Sequence, residues 1–548
     1  MSCFAVSIFV TPFNSFDPVN IGKMSLLVII NVTLACSVIF SWHHYFNYDY
    51  KWIMTLIGMF VMFSTLTLFL APANLTQQFF GQTLRNTGYI TYISLASLLL
   101  MATLLSHTKL LNYLTKSLFF AGITATAYGA VQVLNLDPIN WSNSYNSQIG
   151  FFGNPNFQSA FLAITSSFLI VKVFDIQTNV RIRFLYGLFF LFVTVMIFKT
   201  SSLQGLIVIS LMIILAGFFK VKNMNASNFI KTLYATTAAF AVFLAIMDIF
   251  QKLPWRSFLY KDSISFRGDF WRAGFRMLTD HPFFGVGFDN YVNWYRRSRD
   301  SVSASRPTAV EVGDSAHNVF IDMAANGGYP LLGIYVLIQI FVLFAAIKVI
   351  RNYKNIDIDF QTIFIAWVGF SAQSMISVNQ IGLAVWGWVL SGAIIGFYIR
   401  TKPQGEVADV KLANKRNVKK QIVYRQHPSV IILGLFIGFC IAIPPFYADS
   451  NFRKSIGKDS NPLRIESAAY VWPRNAIRMT QISRLLYVNS LNEAAIRVAR
   501  DSVLYDKDSY VAWLNLYSIS TISPEEKRNA YQNLSRLEPF KFNIKELP

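Results

Sequence analysis

Hydrophobic runs recur along this chain at a length and spacing that only helices satisfy. Apolar stretches fall at about 25–41, 51–71, 89–106, 114–134, 158–174, 184–198, 203–219, 232–250, 330–347, 361–377, 382–399 and 429–446. Each approaches the roughly 17–25 residues that carry a helix across a bilayer. The pattern predicts an all-α fold, a polytopic transmembrane bundle of about twelve spans. Residues 2–13, "SCFAVSIFVTPF", add a half-span; they lack a basic leader region and a small-residue cleavage site, so they are expected to be retained.

Two segments depart from the pattern and divide the chain. Residues 1–250 read as an N-terminal transmembrane bundle, 251–329 as a long loop with short amphipathic helices, and 330–446 as further spans. Residues 447–548 are polar with periodic apolar positions, as in "LNEAAIRVARDSVLYDKDSYVAWLNLYSIS". Two amphipathic helices around "YDKDSY" look like a tetratricopeptide-type hairpin. One such unit cannot bury its own apolar face, so the tail is expected to pack on the long loop or on a protein partner.

Charge fixes an orientation. Only 14% of residues are charged, where a soluble protein carries about a quarter, and the formal net charge is +20. The basic residues sit mostly in short loops: Lys172, Arg181 and Arg183; Lys220, Lys222 and Lys231; Lys348, Arg351 and Lys354; and the stretch from Arg400 to Arg425. Short basic loops stay cytoplasmic, which puts 251–329 and the tail on the outer, extracytoplasmic side of an inner-membrane-type bilayer. The arginines of the long loop do not contradict this, because loops beyond roughly 60 residues translocate largely regardless of charge. A scattered positive charge with no basic module excludes a nucleic-acid partner.

Metal and disulfide chemistry find no support. Cys3, Cys36 and Cys440 have no paired spacing and read as small apolar packers. His43 and His44 are neighbours that point apart on a helix. The Asp-x-Asp pattern of Asp357 and Asp359 matches a metal–nucleotide-sugar motif, but it occupies a short loop without a nucleotide-binding fold and reads as solvated. No metal and no cofactor are expected.

Four stretches could carry chemistry. In "FRGDFWRAGFRMLTDHPFFGVGFDNY" (266–291) a helical wheel puts Phe270, Trp271, Gly274, Met277 and Leu278 on one face, with Arg267 in their midst. Asp269, Arg272 and Arg276 fall opposite, and Pro282 ends the helix. An arginine on an apolar face needs an anion, either a loop carboxylate such as Asp262 or a phosphate. In "DSAHNVFIDMAANGGYPLL" (314–332) Asp314 or Ser315 is expected to cap a helix whose first turn holds His317 and Asn318. There the helix dipole would keep the imidazole neutral and able to accept a proton. "GFFGNPNFQS" (150–159) offers Asn154 or Asn156 as a cap before Pro155, and "KTSSLQGLIV" (199–208) opens a helix with Ser202 and Gln204. Capping accounts for the first, and the polar residues of the second either cap the helix or line a cavity.

Together with "SVNQIGLAVWGWVLSG" (377–392), these motifs resemble the O-antigen ligase and polymerase family of bacterial membrane glycosyltransferases over roughly residues 150–400. The resemblance implies a GT-C-like bundle and a glycan passed from an undecaprenyl-diphosphate carrier to an acceptor hydroxyl, without metal or nucleotide sugar. It implies that His317 is the base and Arg267 the diphosphate clamp. Arg272, Arg85, Asn318 and Gln204 would assist in donor binding, while Asn154, Asn156, Trp271 and Ser202 would shape the pocket. Many members carry an arginine directly after the serine of the "SLQG"-like motif; Leu203 and Gln204 stand there in this chain, so Arg267 would do more, with Arg85 or Arg272. A ligase takes a lipid core or other glycan as acceptor and a polymerase takes another lipid-linked unit. From a different class, a glycolipid flippase or exporter would need charges along its path, and these spans are nearly free of them.

Overall fold

A computed structural model describes residues 2–40, 48–106, 108–141, 148–224, 226–254, 259, 262–306, 312–353, 356–401, 427–457 and 461–542. His43, His44, Lys354 and the basic stretch 402–426 lie outside the described residues, as does the Asp262 side chain.

All twelve apolar stretches are helical, and no strand occurs among the described residues. The twelve helices differ in how fully each meets the demands of lipid. Nine of the described helices are long and apolar enough to cross a membrane. Of the remaining three, Tyr89–Leu105 and Ile358–Ser374 have 17 residues each, and Thr108–Val133 is longer but diluted by Lys109, Lys116 and a run of small polar residues. All three contribute buried side chains to the bundle core, where contact with protein relaxes the hydropathy that lipid contact demands. The N-terminal helix is only Ser2–Ile8, about 10 Å at 1.5 Å per residue. It wedges against Ile381–Thr401, where the Ser7 hydroxyl donates to the Gly382 carbonyl (2.7 Å) and the Trp386 indole donates to Ser7 (2.8 Å).

Helix Ile381–Thr401 is the axis of the bundle, buried along nearly its whole length. Its glycines allow that centrality. A Cβ at Gly392 would stand 2.1 Å from the Leu99 carbonyl, so only glycine lets Tyr89–Leu105 approach there. Helix Asn228–Ile249, by contrast, turns nearly all its side chains outward, as a lipid-facing helix does. The chain is therefore a multi-pass membrane protein.

The spans alternate direction, which gathers the starts of Asn20–Phe40, Pro155–Thr165, Leu203–Asn223, Val319–Asn352 and Ile381–Thr401 at one end of the bundle. The basic turns meet at the other end, where Lys222 donates to the Tyr353 carbonyl (2.7 Å) and Tyr353 donates to the Thr401 carbonyl (2.7 Å). Asp357 and Asp359 are also at this end. Asp357 caps Ile358–Ser374, and Asp359 accepts from Asn112 (3.2 Å) and Thr115 (2.9 Å). Both carboxylates are spent on structure.

One expected domain edge falls inside a continuous helix and another falls beside a helix break. Helix Pro428–Ser455 runs through position 447 and carries the bundle into the tail. Helix Val319–Asn352 runs through position 330 but breaks at Gly328, whose φ of 72° is open to glycine at little cost. The turn 281–290 fills this break. Tyr329 N–H donates to the Pro282 carbonyl (2.7 Å), while Val286 and Gly287 N–H donate to the carbonyls of Ala325 (2.8 Å) and Asn326 (3.1 Å). The motifs "HPFFGVGF" and "NGGYP" thus lock into each other.

The tail contains two successive helix pairs, Ala476–Val488 with Asn492–Tyr505 and Tyr510–Ser518 with Pro524–Leu537. Their first helices start at Ala476 and Tyr510, the 34-residue spacing of tetratricopeptide repeats. The second pair docks on the long loop. Glu538, fully buried, receives Arg296 (2.7 Å) and Arg299 (2.6 Å), and Asp508 receives Arg297 (3.1 Å). The Arg296 guanidinium also lies 4.1 Å from the centre of the Tyr510 ring.

Candidate active site

At the end of the bundle where these helices start, a cavity of about 340 Å³ opens between the helix ends and the long loop. Its floor is made of helix starts: Asn20, Asn154, Asn156 and Gln204, with 377–380 between two helices. Its roof is made of loop: Arg85 and its neighbours, Arg267 on helix Asp262–Asp280, and Val312, Asp314 and His317.

The roof is held rigidly from below. Asp289 is buried in the turn 281–290 and accepts backbone N–H from Gln82 (2.8 Å) and Thr87 (3.1 Å), which fixes the loop carrying Arg85. Arg85 in turn grips Asp314 with a two-pronged contact (Nε–Oδ2 3.0 Å, Nη2–Oδ1 2.5 Å). Burial would raise the Asp314 carboxyl, but the Arg85 guanidinium overrides that and holds it below the usual carboxylate range. Arg85 Nη2 also donates to Ser315 Oγ (3.0 Å).

His317 is placed differently from the expectation. It was expected, with Asn318, inside the first turn of its helix. The helix instead begins at Val319, and Asn318 is its cap, accepting from Phe320 N–H (2.9 Å) and Ile321 N–H (3.3 Å). Neither Asp314 nor Ser315 caps it. His317 precedes the cap at φ 51°, in the left-handed region that few non-glycine residues occupy. That conformation turns the ring into the cavity, edge-on to Phe270 with ring centres 5.4 Å apart. Burial lowers the imidazole pKa to about 4, helped by Arg85 and Arg267 and opposed by Asp314. Desolvation is the chief cause and leaves the ring neutral at pH 7.

The proton count fixes its tautomer. Ser315 Oγ accepts from Arg85 Nη2 and from the His317 N–H (3.2 Å), which uses both lone pairs. Its own proton then goes to His317 Nδ1, 3.0 Å away. The neutral ring consequently carries its hydrogen on Nε2, as a donor, while Arg85 rests on Ser315.

Arg267 lines the cavity and makes no ion pair or hydrogen bond among the described residues; its Nε is buried and unpartnered. Burial lowers its pKa, with no carboxylate opposing the shift. An unsatisfied buried donor costs on the order of 1–3 kcal/mol, more when charged. This arrangement calls for an anion.

Other expected site residues lie elsewhere. Arg272 is outside the cavity, bound to Asp269 and to Asp300 (2.7 Å). Asp269, expected on the solvent face, is buried because it also meets Arg306 (3.0 Å). Trp271 packs within the loop's own apolar cluster. Ser202 caps its helix and donates to Asn156 Oδ1 (2.7 Å), supporting the floor from outside the cavity lining. Asn154 caps Pro155–Thr165 and, with Asn156 and Gln204, faces the cavity. Sequence reasoning gave Asp314 and Ser315 only a capping role and missed Asn20, Asn379 and Gln380 as lining residues. The last two stand in the quoted motif "SVNQ", a signal that was available; Asn20 had none. Among the described residues no group of three or more His, Cys, Asp or Glu could hold a metal ion.

Residues 158–336 match the family described as O-antigen ligase. The match takes in Gln204, Arg267 and His317, whereas Asn20, Arg85, Asn154, Asn156, Asn379 and Gln380 complete the cavity from outside it. No curated protein matches the chain.

Proposed function

We propose, from the premise that residues 158–336 form a domain of the O-antigen ligase family, that this protein moves a glycan from an undecaprenyl-diphosphate carrier to an acceptor hydroxyl at the outer face of a bacterial inner membrane. The observation that carries the reading is Arg267, which lines the cavity half-buried, with its Nε unpartnered and no counter-ion among the described residues, beside a neutral histidine. The basic turns at the opposite end of the bundle support an outward-facing cavity.

In this reading the diphosphate enters under the roof and meets Arg267. It also draws Arg85 from Ser315, because a phosphate competes for the same planar fork of donors. Ser315 Oγ is then free to accept from Nδ1–H, and Nε2 becomes the basic nitrogen. The acceptor oxygen attacks the anomeric carbon and gives its proton to Nε2. The bond from that carbon to the phosphate oxygen breaks, and the diphosphate leaves with the electron pair under the two arginines. The acceptor is a glycan or lipid core, which makes the enzyme a ligase.

Purified protein, a defined lipid-diphosphate glycan and a panel of acceptors test this directly. Transfer to a core-type acceptor is expected, and it should survive chelation of divalent metal. Elongation of the lipid-linked glycan alone would make the enzyme a polymerase. No transfer at all, with the protein folded and the donor intact, would defeat the reading.

A further inference from the structure

We propose that the cavity floor is a subsite for an uncharged sugar ring, with Gln204 and Asn379 as the residues that recognise its hydroxyls. The proposal rests on the glycan-transfer reading of the same cavity and names what that site selects.

Six carboxamide side chains line the cavity: Asn20, Asn154, Asn156, Gln204, Asn379 and Gln380. Four have visible structural employment. Asn20 donates to the Leu84 carbonyl (2.7 Å), and Gln380 donates to Asn20 Oδ1 (3.1 Å). Asn154 caps its helix, and Asn156 accepts from Ser202. Gln204 and Asn379 differ. They are 5% and 6% exposed and both line the cavity; neither the oxygen nor the nitrogen of the Gln204 amide is hydrogen-bonded, and Asn379 has the Tyr92 hydroxyl beside its amide with its oxygen left unsatisfied. Gln204 is not needed as a cap, since Ser202 already accepts its backbone N–H. Gly205 lets the two helices meet at this point, because a Cβ there would lie 2.6 Å from the Ser159 carbonyl.

The chemistry selects the occupant. A carboxamide offers an acceptor and two donors side by side, and a hydroxyl both donates and accepts, so the two groups pair in either direction. The charged residues lining the cavity, Arg85, Arg267 and Asp314, all belong to the roof, as does the neutral His317. A diphosphate suits the roof, and a neutral polyol suits the floor. Phe157, also in the lining, supplies an apolar surface for the face of a ring. The sugar joined to the diphosphate is held by its hydroxyls in this way, with its anomeric carbon at the boundary between floor and roof.

Three short-chain polyprenyl diphosphates test the idea on the full-length purified protein: one without sugar, one bearing a neutral hexose, and one bearing a hexuronic acid. Wild type is expected to bind the neutral-sugar probe at least roughly tenfold more tightly than the other two. Gln204→Met and Asn379→Leu, near-isosteric and checked by melting temperature, should each weaken that probe about 5–10-fold and leave the sugar-free probe unchanged. Equal binding of all three probes by wild type would overturn the subsite, as would variants that weaken the sugar-free and sugar-bearing probes alike. Binding of none of them would remove the glycan-transfer reading, and the subsite with it. Intact sugar-free binding without sugar preference would remove the subsite alone.

Discussion

Arginines on the same long loop are treated in two opposite ways. Arg296 and Arg299 converge on the fully buried Glu538, Arg297 meets Asp508, and Arg272 lies between Asp269 and Asp300. These cations are neutralised by the chain itself and fasten the loop to the tail or to itself. Arg267 has no such partner and faces a cavity. Arg85 stands between the two cases, since its Asp314 is half exposed and can yield it. Where the protein completes its own charges it builds; where it leaves one incomplete it binds. The sequence offers no way to tell the two kinds apart, because each is an arginine on or near an amphipathic helix.

The comparison breaks most visibly at the cavity. His317→Ala should cut turnover by roughly 100-fold or more, the usual reach of a general base, with donor affinity little changed. Arg267→Ala should lower donor binding together with turnover, and Arg267→Lys should rescue it only in part because a point charge lacks the fork. Single-turnover rates and donor titrations on both variants separate the roles; unchanged donor binding in Arg267→Ala would make that arginine structural.

A neutralised cluster should fail through stability instead. Glu538→Ala removes the carboxylate that Arg296 and Arg299 share in the tail joint, and breaking a buried pair costs about 3–5 kcal/mol. A fall in melting temperature is expected, with a turnover loss on the order of tenfold because the loop helix Tyr291–Ser298 packs on the helix that carries Arg267. A Glu538→Ala protein that melts like wild type would mean that the joint contributes nothing.

Acidity should act on the cavity in a narrower range. With His317 at about 4 in the fold against 6.5 outside it, the folded protein resists protonation there. Its kcat/KM, which reports the free enzyme, should stay level down to about pH 5 and fall toward pH 4. The same shift is a stability term. The unfolded chain takes up the proton first, so this contribution is lost as pH falls from about 6.5 toward 4. An acid limb centred near 6.5 would contradict a buried, cation-flanked ring. The smallest effect is expected at the opposite end of the bundle: Asp359→Asn should leave turnover within about twofold, with or without chelator.

The bundle was legible because membrane helices are written in long apolar runs, and all twelve formed. The span count was less legible, because a helix sheathed in protein, such as Tyr89–Leu105, need not meet the demands of lipid. In the site, Arg267 could be found because a charge on an apolar helical face violates periodicity. His317 was found, but its setting was misread: a left-handed residue before a cap carries no periodic signature. Arg272 was misassigned because its partner Asp300 lies on another short helix. Asn379 and Gln204 look like ordinary polar residues at helix ends, and only burial with unsatisfied amide atoms distinguishes them.

Glu538 has a consequence for the order of events during synthesis. It lies 239 residues after Arg299, which it neutralises. At about 5–20 residues per second, the loop waits roughly 10–50 s after its own translation before that counter-ion exists. During that interval Arg296 and Arg299 lack the carboxylate that they share in the finished protein, so the joint between the loop and the tail stays open. The spans can insert one after another while the site remains incomplete. A nascent chain in the membrane is then structurally a bundle before it is an enzyme, and the last helix pair to appear is the one that closes the assembly.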